Sequence, residues 1–298
     1  MILQGKVAPI AEQIQNKLNC GINIVELQLL DVDFNINTVL NTLSGFPDLR
    51  INTVHTPLVG TEAICLNHLT DDRIRNCFTK TCKLANIIGL TNDTEVGVIV
   101  HNTLSYYDYK RMPGLVKELV DLLVMLNDTF HNIYFMIENV NTYDVVTQFC
   151  NGATPKDVYR VVELFKSHGF NNLFITLDIC HAIMTAKEYY RFFNNTELLS
   201  LENNGLPDVS IENWFRTCGM YLRNIHISDC VGDGVLPLHH GAVMTESSYP
   251  LIEELIDLSV QYCSADLLWT VEVAEVDYSD CINQLVTTKH ILHVLSNH

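Results

Sequence analysis

Polar side chains able to bind a metal ion stand where apolar, β-branched runs of the chain stop. The six positions placed in this way are His55, His101, Glu138, Asp178, His226 and Glu272. Glu138 ends the run Phe-Met-Ile-Glu and Asp178 ends Ile-Thr-Leu-Asp, so each acid follows a segment typical of a buried strand. Carboxylates that meet in a partly dry cavity repel one another unless cations lie between them. If these strand ends converge, the chemistry that they favour is divalent metal binding.

We predict that one divalent metal ion is held by Glu138, Asp178, His226 and Glu272. Oxygen ligands predominate in this set, which favours manganese, magnesium or cobalt, whereas additional histidines would shift the preference toward zinc. A lone histidine at a strand end is more often a hydrogen-bonded rim or core residue, and a lone glutamate is often part of a structural ion pair. Six such residues at six of the predicted strand ends favour one shared site instead.

The elements that would position these residues alternate between apolar runs and amphipathic segments, as in consecutive βαβ units. The predicted strands are Ile2 to Val7, Ile24 to Leu29, Ile51 to His55, Val96 to His101, Ile133 to Glu138, Leu173 to Asp178, Leu222 to Ile227 and Leu268 to Glu272. The predicted helices are 8–19, 71–88, 113–126, 155–168, 211–220, 249–262 and 284–295. Eight parallel strands make a closed α/β barrel of the (β/α)8 or TIM type, in which the strand ends meet on one face.

The composition fits one folded domain over residues 1–298, with 48% hydrophobic and 18% charged residues and no linker-like segment. No signal peptide or membrane-spanning stretch is visible, so we expect a cytoplasmic protein that is not embedded in a membrane. The ten cysteines are scattered from Cys20 to Cys281 without a CxxC pair, which favours a reducing compartment and mostly structural thiols. The net charge of -17 argues against nucleic acid as a partner, although bound metal ions would offset it locally.

Several short motifs, taken in order, carry a resemblance to a known group of barrels. They are Ile137-Glu138-Asn139, Leu177-Asp178-Ile179-Cys180-His181-Ala182, Ile225-His226-Ile227-Ser228-Asp229 and Val271-Glu272, with Val25-Glu26-Leu27 nearer the start. Together they resemble the xylose-isomerase-like barrel superfamily, which also contains endonuclease IV. The resemblance covers most of the chain, and its D-x-x-H-A motif is the most specific part.

The sugar isomerases and epimerases of this superfamily resemble the chain through a single-metal quartet that matches the four predicted ligands. The resemblance implies that Glu138 and Glu272 exchange protons with the substrate and that His181 contacts it. Substrate-binding positions implied in the same way are His55, His101, Glu26, His181 and Asp229. The reaction would be isomerisation or epimerisation of a sugar, a sugar phosphate or a polyol, and related barrels often form homodimers.

Endonuclease IV is the alternative resemblance, and it implies up to three zinc ions and incision of abasic DNA. Its additional ligands would be His55, His101 and His181, with Asp233, His239 and His240 in the loop after the seventh strand. That loop reads Asp233-Gly-Val-Leu-Pro-Leu-His239-His240, which departs from the Asp-x-His pair of the nucleases and from the Gly-Glu pair of the sugar enzymes. A barrel that binds a ligand without turnover is a third hypothesis.

Overall fold

Short runs of β-branched and aliphatic residues form the strands, as in Val96-Gly-Val-Ile-Val-His101, where only the last side chain is partly exposed. The computed structural model describes residues 1–59, 62–140, 152–193, 208–231, 239–277 and 280–298. Its barrel strands are β1 Ile2–Val7, β2 Ile24–Gln28, β3 Arg50–His55, β4 Val96–His101, β5 Ile133–Glu138, β6 Leu173–Asp178, β7 Leu222–Ile227 and β8 Leu268–Val271.

The strands pair side by side in parallel and close in the order β1-β8-β7-β6-β5-β4-β3-β2. Parallel strands that are covered on both faces are apolar along nearly their whole length, as these are. The predicted eight-stranded (β/α)8 barrel is therefore confirmed. Two short antiparallel pairs, 58–59 with 62–63 and 229–231 with 239–242, lie outside the barrel sheet.

Helices follow the strands around the outside of the barrel. In the described residues they are α1 Ala11–Asn19, α2 Ile36–Ser44, α3 Asp72–Asn92, α4 Tyr106–Arg111, α5 Pro113–Thr129, α6 Pro155–Ser167, α7 Ile179–Phe193, α8 Ile211–Cys218, α9 Tyr249–Tyr262 and α10 Ile282–Asn297. The side chain of Thr154 caps α6, Pro155 takes its first position, and Gly169 follows it with φ of 95°. Capping residues of these types commonly mark the start and the end of a helix. None of the described helices is long and apolar enough to cross a membrane.

The interior of the barrel contains a buried polar layer where many barrels have branched apolar side chains. The Gln4 amide donates to Thr53 Oγ1 at 3.2 Å and to Thr270 Oγ1 at 2.7 Å. Thr53 Oγ1 and Asn224 Nδ2 donate in turn to Glu26 Oε2, at 3.0 and 3.2 Å. Because side chains of β1 alternate in direction, Gln4 and Lys6 share one face and lie next to this layer. These two residues, which interrupt the apolar pattern of the first strand, thus support the floor of the candidate site.

Candidate metal centre

The ends of the barrel strands bring together two groups of potential metal ligands that share one carboxylate. His55, His101 and Glu138 form one group, and Glu138, Asp178, His226 and Glu272 form the other. Within each group, one nitrogen or oxygen atom per residue lies within 4.8 Å of the others. The second group consists of the four ligands predicted from the sequence. The first adds two histidines that the resemblance to sugar enzymes assigned to the substrate.

Glu138 lies between the two groups, and imidazole rings surround its carboxylate. Its Oε2 is 3.0 Å from His55 Nε2, while Oε1 is 3.6 Å from His101 Nε2, 3.5 Å from His226 Nδ1 and 3.8 Å from His181 Nδ1. Burial alone would raise the pKa of Glu138, but His101 and His226 hold that pKa well below its ordinary value. The residue is 2% exposed and ionised, so it is suited to bind cations on both sides.

The His55 ring lies between this carboxylate and a main-chain carbonyl oxygen. Burial lowers the pKa of His55, and the nearby Lys6 ammonium adds to the effect, so the ring is neutral. Its Nδ1 lies 2.9 Å from the carbonyl oxygen of Thr56, which can only accept, so Nδ1 carries the proton. Its Nε2 lies 3.0 Å from Glu138 Oε2. A ring nitrogen and a carboxylate oxygen this close together can serve as two ligands of one metal ion.

His226 is held by a buried carboxylate on one side and faces the metal ligands on the other. Its Nε2 lies 3.0 Å from Glu26 Oε2, and both side chains are fully buried. Its Nδ1 lies 2.6 Å from Glu272 Oε2. A histidine that binds metal through one nitrogen commonly has its other nitrogen fixed by a carboxylate. Glu26, which the resemblance placed at the substrate, is positioned here to orient His226.

Lys6 is a member of the site that the sequence patterns did not assign. Its ammonium lies 2.7 Å from Glu272 Oε1 and 3.2 Å from Glu26 Oε1. Burial alone would lower the pKa of Lys6, but Glu272 and Glu26 raise it above its ordinary value, so the residue is a cation. Burial alone would raise the pKa of Glu272, while Lys6 and then His226 hold it well below normal. A charged residue in the inward register of an otherwise apolar strand was the available signal.

Asp178 and His181 are fixed by the direct passage from β6 into α7. The main-chain N–H of His181 donates to Asp178 Oδ1 at 2.7 Å, and His181 Nδ1 donates to the carbonyl oxygen of Asn139 at 2.9 Å. The side-chain amide of Asn139 makes two hydrogen bonds to the main chain of Asp178. Asn139 Oδ1 accepts from the N–H of Asp178 at 2.7 Å, and Asn139 Nδ2 donates to the carbonyl oxygen of Asp178 at 3.1 Å. Asn139 therefore positions both residues, a role that a single asparagine after a strand does not reveal in sequence.

The remaining predicted positions lie in the segment after β7. Asp229 Oδ2 accepts a hydrogen bond from Ser248 Oγ at 2.5 Å, and Oδ1 accepts from the main-chain N–H of Cys230 at 2.7 Å. Asp229 is thus engaged by its own loop. Asp233 lies outside the described residues. His239 and His240 begin the short strand His239–Ala242, and their side chains lie outside the described part of the structure.

The metal-free protein should become less stable as pH rises, because the stabilising charge of His226 is lost. Burial alone would lower the pKa of His226, but Glu26, Glu272 and Glu138 raise it well above 6.5. This stabilisation is fully present below the ordinary pKa and is lost as pH increases through the raised value. Urea unfolding in EDTA between about pH 6 and pH 9 should show a free energy that falls by up to about 1.4 kcal/mol per pH unit. His226→Gln should flatten this dependence, and equal slopes for both proteins would refute the assignment.

No protein-family model and no curated protein matches the chain. Solved structures do match it over nearly its full length. Endonuclease IV from Thermus thermophilus is 14% identical with a TM-score of 0.61, covering 98% of this chain and 100% of its own. The IOLI protein with a bound zinc atom is 13% identical with a TM-score of 0.58, covering 100% and 99%.

A D-tagatose 3-epimerase-like protein matches in the same way, with 16% identity, a TM-score of 0.55 and 99% of each chain covered. Both branches named in the sequence analysis, the nuclease and the sugar epimerases, thus occur among the structural neighbours. At these identities the likeness concerns the fold. The chain is a closed (β/α)8 barrel, and it shares this fold with these structures.

Proposed function

We propose that this chain is a divalent-metal-dependent hydrolase of phosphate esters in which Glu138 bridges two metal ions. The observation that carries the proposal is the position of the Glu138 carboxylate, because one oxygen faces His55 and the other faces His101 and His226. Pairs of divalent ions joined by shared ligands are the common centre of phosphatases and nucleases. Two histidines in the first group favour zinc at that position, whereas the second group is richer in oxygen.

Some residues of the site would bind the metals, and others would orient the metal ligands. Two ions held here would stabilise the charge that develops on a phosphoryl group and make water more acidic. Glu26 fixes the ring of His226 so that Nδ1 faces the site. Lys6 occupies one oxygen of Glu272, so that this carboxylate presents a single oxygen to a metal. His181 is held by Asn139 at the rim, within reach of a substrate.

The charge of the centre suits an anionic substrate once metals are bound. Glu26, Glu138, Asp178 and Glu272 contribute four negative charges and Lys6 one positive charge, while His55 is neutral. Two divalent ions, with His226 deprotonated as a ligand, would turn three net negative charges into one positive charge. A negatively charged phosphate ester would compensate this remaining positive charge. The net charge of -17 over the chain favours a small phosphate ester over a nucleic-acid polymer.

Sugar epimerisation is the second candidate, and a cavity beside the centre favours it. This cavity of about 560 Å³ is lined by Lys6, Ala8, Gln13, Gln28, Glu272 and Glu275, among others. Its volume suits a small molecule. One of the structural neighbours is a D-allulose 3-epimerase from a Methylomonas species in complex with D-allulose, at 14% identity and a TM-score of 0.55.

We prefer hydrolysis to sugar epimerisation because of the surroundings of Glu138. The resemblance to ketose epimerases implies that Glu138 and Glu272 both exchange a proton with a substrate carbon. The Glu272 side chain is 21% exposed and lines the cavity, so it can reach such a carbon. Glu138 is 2% exposed and enclosed by imidazoles, a position suited to a bridging ligand and poor for contact with a carbon–hydrogen bond.

One set of assays separates the candidates. Protein loaded with zinc or manganese is incubated with bis(p-nitrophenyl) phosphate, with duplex DNA that contains an abasic site, and with D-fructose. We expect release of p-nitrophenol that EDTA abolishes, and no conversion of D-fructose to its epimers. Epimerisation without any phosphate-ester hydrolysis would overturn the proposal in favour of the second candidate. Incision of the DNA with no activity on the small ester would overturn the preference for small substrates.

A further inference from the structure

We propose that Cys20 and Cys281 form a redox-active thiol pair that is oxidised to a disulfide by a small disulfide such as oxidised glutathione. Their sulfur atoms lie 3.2 Å apart although the residues are 261 positions apart in sequence. Cys20 directly follows α1, and Cys281 directly precedes α10. The inference is independent of the proposed hydrolysis and concerns two thiols that the sequence analysis counted among structural cysteines.

The two thiols differ in access, which gives each a separate part in the exchange. Cys20 is partly exposed, whereas Cys281 is fully buried. Burial raises the pKa of Cys281 to about 11, and contact with Cys20 adds to the effect. An external reagent therefore meets Cys20 first. Cys281 is placed to react afterwards with the sulfur of Cys20, which it already contacts.

A buried lysine lies in the helix that precedes Cys20. Lys17 lies in α1 and is 3% exposed. Burial lowers the pKa of Lys17, and the groups that oppose this are Cys281, Glu275 and Cys20.

Glu275 is already committed, because its two carboxylate oxygens accept the main-chain N–H groups of Asn283 at 2.9 Å and Gln284 at 2.8 Å. Lys17 is a basic residue whose charge acts on both thiols. A thiolate next to a lysine is the usual reactive form of cysteine.

The exchange proceeds in two balanced steps. The thiolate of Cys20, which has lost its proton to solvent, attacks one sulfur of glutathione disulfide, breaks the bond between its sulfurs and releases one glutathione thiolate. Cys281 then attacks the sulfur of Cys20, passes its proton to solvent and displaces the second glutathione. The protein dithiol loses two electrons and two protons, and the small disulfide gains them as two glutathione thiols.

The bond would join the first and last helices of the barrel. Gln284 in α10 donates to the carbonyl oxygens of Val271 at 2.7 Å and Lys6 at 3.4 Å, so α10 supports the strands that hold Lys6 and precede Glu272. Closing almost the whole chain into one loop restricts the unfolded state. We expect the oxidised protein to unfold at a temperature about 5 °C higher than the reduced protein.

The test treats the intact protein with graded ratios of oxidised to reduced glutathione and analyses it by non-reducing mass spectrometry. We expect the wild type to lose two hydrogen atoms and to give a linked pair of peptides containing Cys20 and Cys281. Cys281→Ser should retain one glutathione on Cys20, whereas Cys20→Ser should acquire none on Cys281. Cys263→Ser is the matched control, because Cys263 is also partly exposed and lies after α9, and it should behave as the wild type.

The wild type alone can refute the proposal, so it does not depend on the folding of the variants. Differential alkylation before and after oxidation identifies the thiols that disappear. A stable glutathione adduct on Cys20 without the internal bond would overturn the proposal. Retention of both thiols at every ratio, or a bond that involves another cysteine, would overturn it as well.

Discussion

Replacing Glu138 with glutamine should remove metal from both positions and reduce kcat/KM by a factor on the order of 10³. Glutamine keeps the size of the side chain but removes the negative charge that faces His55, His101 and His226. Neither group then keeps its shared ligand. The loss should therefore exceed that for any residue that belongs to one group only.

The measurement combines elemental analysis with hydrolysis of bis(p-nitrophenyl) phosphate. Glu253→Gln, at an exposed position of α9, is the control for the same chemical change and should keep full metal content and activity. Circular dichroism of both variants separates loss of metal from loss of fold. Normal metal content in the Glu138→Gln protein would contradict the bridging role.

Replacing His101 with alanine should remove one metal ion and leave the other, with activity lower by a factor of about 10². His101 belongs only to the group that it forms with His55 and Glu138, while the second group keeps all four of its ligands. Asp178→Asn is the reciprocal variant, because Asp178 belongs only to the second group. Each of the two changes should remove metal from one group only and lower turnover by its own amount. If His101→Ala leaves the metal content unchanged, the first group does not bind a metal.

Much of the barrel follows from hydrophobic pattern, and the departures have local causes. The predicted strands match those observed to within one residue, because β-branched runs in a doubly covered parallel sheet stand out from their surroundings. The helix Ile179–Phe193 was not predicted, since it begins directly after Asp178 and continues the apolar run of the strand. The helix Tyr106–Arg111 was missed because six residues give too short a pattern, and the helix Ile36–Ser44 was missed as well.

The positions of the candidate ligands were predictable, but their partners were not. Strand ends in a parallel barrel meet on one face, so Glu138 and Asp178 could be placed together from sequence alone. The contacts of Lys6 with Glu26 and Glu272 depend on the register between β1 and its two neighbours. A one-residue change of register reverses which side chains face inward, and a single sequence does not specify it.

The number of metal ions, one or two, also could not be predicted from the sequence, because it depends on geometry. Residue type and spacing do not distinguish a histidine that contacts substrate from one that binds a metal at the same strand end. The position of His55 Nε2, 3.0 Å from Glu138 Oε2, supports the proposal that His55 binds a second ion. On that proposal, the preferred hypothesis changes from one ion and a sugar to two ions and a phosphate ester.

The number of metal ions per chain tests the shared-carboxylate centre most directly. Wild-type protein is loaded with zinc, dialysed against metal-free buffer and analysed by inductively coupled plasma mass spectrometry, alongside His101→Ala and Glu138→Gln. The two groups that share Glu138 predict two ions in the wild type, one in His101→Ala and none in Glu138→Gln. One ion in the wild type that persists unchanged in His101→Ala would contradict the account.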